Sequence, residues 1–110
     1  MAKQNKVQGT AAITAVGNAD IIAAGGATYR TFIEKVIVSV SEYHEDGHVA
    51  LDNGTTTYWL INAKAGVGGT SWTLDFGEDG LDIGLNTAFR IVQSGHDDVS
   101  AIATAIGHRG

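Results

Sequence analysis

Residues 31–41 constrain the fold more than any other stretch of the chain, because apolar and polar side chains alternate along them. Apolar residues stand at the even positions Phe32, Val36, Val38 and Val40, and polar residues at the odd positions Lys35, Ser39 and Ser41. Glu34 and Ile37 break the pattern, one on each parity. Alternation rich in β-branched residues, without Gly or Pro, is typical of a strand with one face in a core. A helix would need apolar residues at helical spacings instead, so we predict a central β-strand here.

The composition indicates one globular domain of the all-β class. The chain has 110 residues, of which 44% are hydrophobic and 17% charged, which suits a single folded domain. Fifteen Gly and no Pro indicate many tight turns between short strands. The absence of Cys excludes disulfides and thiolate metal sites. A net charge of −5, with the basic residues scattered, argues against a nucleic-acid partner.

The beginning of the chain is polar, and it predicts an arm ahead of the folded domain. We expect residues 1–8 to form a flexible N-terminal arm and residues 9–110 to form the β-sandwich domain. The basic start is not followed by an apolar stretch, so no signal peptide is predicted. No window reaches the roughly 18 to 20 apolar residues of a membrane span. We therefore expect no membrane association and synthesis in a cytoplasm.

Turn signals divide the chain into about seven or eight short strands, which is the pattern of an antiparallel sandwich or barrel. The predicted strands cover residues 10–16, 20–24, 29–43, 48–52, 55–62, 71–76, 88–93 and 99–106, with 81–85 either a loose strand or an extended segment. Two-layer packing predicts a shared interior. Its expected members are Phe32, Val36, Val38, Val40, Val49, Leu51, Trp72, Leu74, Phe76 and Ile91.

The strand at residues 55–62 is unusual because both of its faces carry apolar side chains. Asn53-Gly54 precedes it and predicts a type I′ hairpin turn. Trp59 and Ile61 share one face, and Tyr58 and Leu60 share the other. A strand of this kind is covered on both sides or meets a neighbouring subunit. We therefore predict an interface at Tyr58, Trp59, Leu60 and Ile61, and assign Trp72 to the core.

A literal H-E-x-x-H sequence occurs at His44-Glu45-Asp46-Gly47-His48. Two such histidines bind zinc when a helix places them on one face. Here Asp46-Gly47 lies between two strand patterns, so we interpret the segment as a hairpin tip, with a zinc hydrolase as the alternative. No catalytic residue is predicted, because none of the Ser, His and Asp residues has a distinguishing context.

Other polar stretches have simpler interpretations as turns. Glu78, Asp79 and Asp82, with Asp75 and Asn86 nearby, could hold calcium, but their spacing departs from the EF-hand loop and a solvated turn is the default. Residues 64–70 form a Gly-rich loop without the Lys of a phosphate-binding loop, and residues 96–98 form a polar turn. No cofactor and no metal site is predicted.

Several segments together resemble those of small virion proteins of tailed bacteriophages, and the similarity covers about residues 20–106. The segments are 23–28 (Ala-Ala-Gly-Gly-Ala-Thr), 36–40 (Val-Ile-Val-Ser-Val), 49–55 (Val-Ala-Leu-Asp-Asn-Gly-Thr), 69–72 (Gly-Thr-Ser-Trp), 79–88 and 99–103. The resemblance implies a jelly-roll-like sandwich that decorates or cements a capsid surface, bound to the major capsid protein and self-associated as a homotrimer. It also implies that no catalytic residues are present.

Two functions from different classes remain open beside this structural role. A fibre or tail module could bind a host-surface glycan through Trp59 and the loops at residues 64–70 and 77–80. A zinc enzyme would use His44 and His48. A glycan array and a metal analysis, respectively, distinguish these alternatives from a capsid decoration protein.

Overall fold

The computed structural model describes residues 6–14, 16–40, 47–63, 70–94 and 100–110. These residues form nine strands: β1 (Lys6–Ile13), β2 (Gly17–Ile22), β3 (Arg30–Val40), β4 (Gly47–Asp52), β5 (Thr57–Ala63), β6 (Thr70–Asp75), β7 (Leu81–Leu85), β8 (Phe89–Ser94) and β9 (Ala101–Arg109). The described residues contain no helix, and therefore none long and apolar enough to cross a bilayer.

The strands form two antiparallel sheets with jelly-roll connectivity. The first sheet has the order β1-β9-β3-β6, with β7 also paired to β3, and the second has the order β2-β8-β4-β5. Each sheet therefore takes strands from both halves of the chain, as in the paired Greek keys of a jelly roll. The prediction of a single antiparallel β-sandwich is confirmed. Residues 81–85, predicted as either a loose strand or an extended segment, form the strand β7.

The core lies between the two sheets, and it contains most of the predicted interior residues. The most deeply buried large side chains come from β3, β4, β7 and β8, and they include Ile33, Val36, Val38, Val49, Leu51, Ile83, Phe89 and Ile91. On β9 the small residues Ala101, Ala103 and Ala105 face this core, while Ile102 and Ile106 are each 44% exposed. The last strand thus turns its smaller residues inward, which lets the neighbouring strands pack closely.

The prediction that Phe32 lies in the core is wrong, and a β-bulge in β3 explains why its side chain faces the other way. The register between β3 and β9 shifts between Ile33 and Lys35, so Glu34 is an extra residue on β3. Because successive side chains alternate between faces, one extra residue exchanges the faces on either side of it. Ile33 is fully buried before the bulge, and Val36 is fully buried after it. Phe32 consequently faces away from the core and stacks on His108, with ring centroids 5.0 Å apart.

The two sheets meet closely at the side formed by β1 and β2. Gly9 of β1 lies so near the carbonyl oxygen of Ile21 in β2 that a Cβ atom at this position would collide with it. Within the first sheet, Gly107 of β9 lies equally close to the carbonyl oxygen of Phe32 in β3, and a Cβ atom there would also collide. Close backbone approach of this kind requires Gly. The backbones of the two sheets are therefore in close contact along β1 and β2.

The first strand begins earlier than its sequence suggests. Lys6, Val7 and Gln8 belong to β1 and pair with His108, Gly107 and Ile106 of β9. These residues were expected in the N-terminal arm, and they pair because the partner strand extends to Arg109. Residues 1–5 lie outside the described residues, so the arm stays a prediction there.

Candidate functional site

The predicted interface strand β5 lies at the edge of the second sheet. Its neighbour β4 places Leu51 opposite Trp59, Ala50 opposite Leu60, and Val49 opposite Ile61. Leu51 and Val49 are fully buried. Trp59 and Ile61 therefore face the interior, and Leu60 faces outward.

Asn53 holds the turn that leads into β5. Its side-chain oxygen accepts hydrogen bonds from the backbone N–H groups of Thr55 (3.0 Å) and Thr56 (2.7 Å). Gly54 has a φ of 98°, in the region that favours Gly. The predicted hairpin between β4 and β5 is present, but the predicted type I′ turn is wrong, because Gly54 has a positive φ and Asn53 does not. Residues 53–56 thus position the aromatic strand against its neighbour.

The two tryptophans of the chain meet where the two sheets end. Trp59 on β5 and Trp72 on β6 have ring centroids 5.4 Å apart, with their planes tilted by 60°. β6 is an edge strand of the first sheet among the described residues, as β5 is of the second. Both indoles are half-buried and pack against the core. The side of the sandwich opposite β1 and β2 is therefore lined by a pair of incompletely covered aromatic rings.

The outward-facing residue of β5 is apolar and exposed. Leu60 is 54% exposed, the same fraction as Val16, the other most exposed large apolar side chain described. Apolar area at a strand edge, next to half-buried indoles, is typical of a surface that another chain covers. We call the surface formed by Trp59, Leu60, Ile61 and Trp72 the aromatic edge.

Tyr58 lies beside the aromatic edge and is half-buried. The side-chain amide of Asn53 donates a hydrogen bond to its hydroxyl oxygen, at 3.1 Å, and also donates to the carbonyl oxygen of Ile83, at 2.9 Å. Burial raises the pKa of the Tyr58 phenol, and the negative charges of Asp82 and Asp52 raise it further. The phenol is therefore neutral throughout the ordinary pH range.

Among the described residues, an ion pair lies close to the start of β5. Arg90 donates from Nε to Oδ1 of Asp52 at 2.8 Å, and from Nη2 to Oδ2 at 3.2 Å. The hydrogen bond to Asp52 raises the pKa of Arg90, so the guanidinium stays protonated. The strand β5 itself contains no charged residue. Within Thr57–Ala63 and this ion pair, an apolar partner that covers the aromatic edge would therefore bury no unpaired charge.

Two carboxylates of the acidic stretch, Asp75 and Asp82, accept hydrogen bonds from the backbone of nearby turns. The Asp75 carboxylate accepts a hydrogen bond from the N–H of Gly77 at 2.9 Å. Asp82 accepts from Arg30 at 3.0 Å and from the N–H of Gly84. Within the described ranges no three His, Cys, Asp or Glu side chains come together to hold a metal ion. Asp75 and Asp82 thus hold turns of the backbone, and Asp82 also forms an ion pair with Arg30.

Some of the predicted sites fall outside the described residues. These include positions 44–46 of the H-E-x-x-H sequence, the Gly-rich loop at 64–69 and the polar turn at 96–98. His48 is exposed and belongs to β4. The zinc hypothesis stays untested.

Trp72 belongs to the aromatic edge, although its sequence pattern predicts a residue of the core. Its alternation with Ser71 and Thr73 predicts an inward-facing side chain, and Trp72 does face inward, opposite Val38 in register. It is only half-buried because no described strand continues the sheet beyond β6. Alternation predicts the face of a side chain and carries no signal for the edge of a sheet.

The sequence matches no protein-family model and no curated protein. Among solved structures, the PRD1 vertex protein P5 is similar at a TM-score of 0.51 and 9% identity, covering 98% of this chain and 99% of that one. The coat protein of Tobacco streak virus has a TM-score of 0.48 at 13% identity, covering 100% and 90%. A chain of the Bacillus endospore appendages has a TM-score of 0.46 at 13% identity, covering 97% and 90%. The chain thus has a β-sandwich fold that also occurs in a viral vertex protein.

Proposed function

We propose that this protein is a structural virion protein that decorates and stabilises the capsid of a tailed bacteriophage as a homo-oligomer. The sequence resemblance to small virion proteins supports this role, and the jelly-roll connectivity agrees with what that resemblance implies. The protein acts through its surfaces and carries out no reaction. Its partners are further copies of itself and the major capsid protein, on the outside of the virion.

The observation that carries the proposal is the aromatic edge. Trp59 and Trp72 are half-buried where both sheets end, and Leu60 is 54% exposed beside them. Covering apolar area stabilises an assembly by about 25 cal/mol for each Å² removed from water. Aromatic side chains at the centre of a contact contribute most of the binding free energy in many interfaces. The aromatic edge therefore suits contact between subunits.

The resemblance implies three subunits, and sedimentation tests this number directly. The capsid contact is a separate surface. A protein that links capsid subunits needs one contact with its own copies and another with the shell. The outer faces of both sheets are available for the second contact.

The glycan-binding alternative depends on Trp59 acting as an exposed platform. In the fold the Trp59 ring packs against the Trp72 ring and the core. Stacking on a sugar requires an open aromatic face. The geometry of the described residues therefore favours a subunit contact over a sugar platform, and a glycan array without signal is the expected result.

Co-sedimentation with capsids tests the proposed function. Shells are assembled from the major capsid protein of the phage that encodes this chain, and the purified protein is added to them. We expect it to sediment with the shells, to saturate at a fixed ratio, and to raise the temperature at which they dissociate. Absence of the protein from the shell pellet at saturating concentration would overturn the role in capsid decoration.

A further inference from the structure

The strand β5 has a backbone edge without the usual protection. It pairs with β4 on one side and with no described strand on the other. Edge strands are normally protected by charged residues, Pro or bulges. Thr57–Ala63 contains neither a charged residue nor Pro, and its register shift lies at the beginning, next to Tyr58. The regular part of β5, residues 59–63, therefore presents backbone groups to which another strand can pair.

We infer that β5 pairs antiparallel with β5 of a second copy about a two-fold axis. The two four-stranded sheets then join into one continuous sheet of eight strands. This inference rests on the proposed homo-oligomer and names the contact within it. A two-fold contact closes on two copies, in contrast to the three copies that the resemblance implies.

The apolar pattern of β5 determines the register. Leu60 is the exposed, outward-facing apolar residue within the regular part of β5. With the axis at this residue, Leu60 lies opposite Leu60 of the second copy on the outer face. Trp59 then lies opposite Ile61 of the other copy on the inner face. Aromatic and β-branched residues are favourable cross-strand partners. An axis at Ile61 would instead oppose Leu60 to Asn62, an apolar residue to a polar one.

The contact also completes the burial of the indoles. Each copy brings one pair of Trp59 and Trp72 to the same boundary, since both residues lie on edge strands. Two chains with a net charge of −5 repel one another, so contact is most favourable where no carboxylate is brought in. β5 contributes no charge, and Asp52 nearby is paired with Arg90. These features make a second copy the partner that fits this edge.

The contact is small, which determines the concentration range of the experiment. A strand of this length and a thickness of two sheets give roughly 24 by 20 Å, or about 500 Å² for each copy. Stable interfaces bury about 800 Å² for each partner. We therefore expect dissociation in the micromolar range, within reach of sedimentation velocity.

Charge substitutions at Leu60 test both the partner and the register. Leu60→Lys and Leu60→Glu each place like charges opposite one another across the axis, which is unfavourable. We expect each variant alone to dimerise about tenfold more weakly, because the apolar Leu60 pair is lost and like charges take its place. An equimolar mixture should form a mixed dimer with an affinity close to that of the unmodified protein. Ile102→Lys is the matched control, because Ile102 is also an exposed apolar residue but lies on β9, and it should leave dimerisation unchanged.

Fluorescence provides a second measurement, because the chain has two Trp and both lie on the aromatic edge. Emission should shift to shorter wavelength as dimers form, and the shift should be lost in Leu60→Lys. Restored association in the mixture supports the inference. A mixture as monomeric as its components, or an unmodified protein that is monomeric at every concentration, overturns it. A monomer that still co-sediments with capsids would leave the proposed decoration role standing, so the two failures are distinguishable.

Discussion

Trp59 on β5 and Trp72 on β6 belong to different sheets, yet their ring centroids lie 5.4 Å apart. The tilt of 60° between their planes is within the range of edge-to-face arrangements, which the aromatic quadrupole favours. This contact links the two sheets at the side formed by β5 and β6. It also provides the apolar surface on which the proposed assembly depends.

The indole contact should be measurable as a coupling free energy. We expect Trp59→Ala and Trp72→Ala each to lower the free energy of unfolding by about 2 to 3 kcal/mol, below the value for fully buried Trp because both rings are half-buried. The double variant should show a coupling of about 0.5 to 1.5 kcal/mol. Urea unfolding of a dilute, monomeric sample measures all four proteins. Strictly additive effects would contradict a direct contact between the rings.

The bulge at Glu34 predicts an unusual order of two neighbouring substitutions. Ile33 is fully buried, so Ile33→Ala should lower the free energy of unfolding by about 2 to 5 kcal/mol. Phe32 is half-buried and stacks on His108, so Phe32→Ala should lower it by only about 1 kcal/mol. Chemical denaturation compares the two variants directly. If Phe32→Ala were the more damaging of the two, the bulge would be misplaced.

The close approach of β1 to β2 makes Gly9 intolerant of any side chain. Gly9→Ala puts a Cβ against the backbone carbonyl of Ile21, which has no flexible atom to move aside. We expect a loss of about 2 kcal/mol or more in the free energy of unfolding. Gly110→Ala is the control, because its Cβ would meet Phe32 at an ordinary 3.8 Å. Thermal unfolding should separate the two variants clearly, and equal midpoints would refute the close packing.

Two ion pairs of different exposure should differ in their contribution to stability. Asp52 and Arg90 have side-chain exposures of 16% and 26%, whereas Asp82 and Arg30 have 43% and 49%. Replacing Asp52 by Asn should lower the free energy of unfolding by about 1 to 2 kcal/mol, since it leaves a partly buried guanidinium with a weaker partner. The screened Arg30 pair should contribute less than about 1 kcal/mol, measured in a double-mutant cycle because Asp82 also accepts from Gly84. Added salt should weaken the Arg30–Asp82 pair more than the Arg90–Asp52 pair, because the first pair is more exposed to solvent.

The raised pKa of Tyr58 predicts a loss of stability in alkali. A phenol whose pKa is higher in the folded than in the unfolded protein contributes stability that is complete below the unfolded pKa, 10.0. This contribution disappears as the pH rises through the folded pKa. Tyr58→Phe should therefore reduce the dependence of unfolding free energy on pH above about 10. Denaturant titrations at a series of alkaline pH values test this, and parallel curves for both proteins would argue against it.

Much of the fold could be predicted from the sequence because strand geometry is local. Alternation along β3, β4 and β6 identifies inward-facing residues such as Val38, Leu51 and Leu74 without knowledge of their partners. The exception at Phe32 has a long-range cause. The bulge exists only relative to β9, which is more than sixty residues further along the chain, so no local pattern specifies it.

The candidate site also has one part that the local sequence predicts and one part that depends on long-range packing. The apolar character of residues 58–61 is visible in the sequence, and it predicted an interface strand. The participation of Trp72 was not visible, because its indole would be fully enclosed if another strand followed β6. Strand neighbours are set by packing between distant segments.

By itself, the amino-acid sequence determined the class of the fold, the positions of most strands and the inward-facing side of β4, of β6 and of β3 beyond its bulge, since all three depend on neighbours along the chain. Only the tertiary structure decided that β5 and β6 are edges and that β1 and β2 close the opposite side. The physical reason is that a hydrogen-bonded ladder gives every strand two sides, and the order of strands in the sheet decides which of those sides lacks a partner.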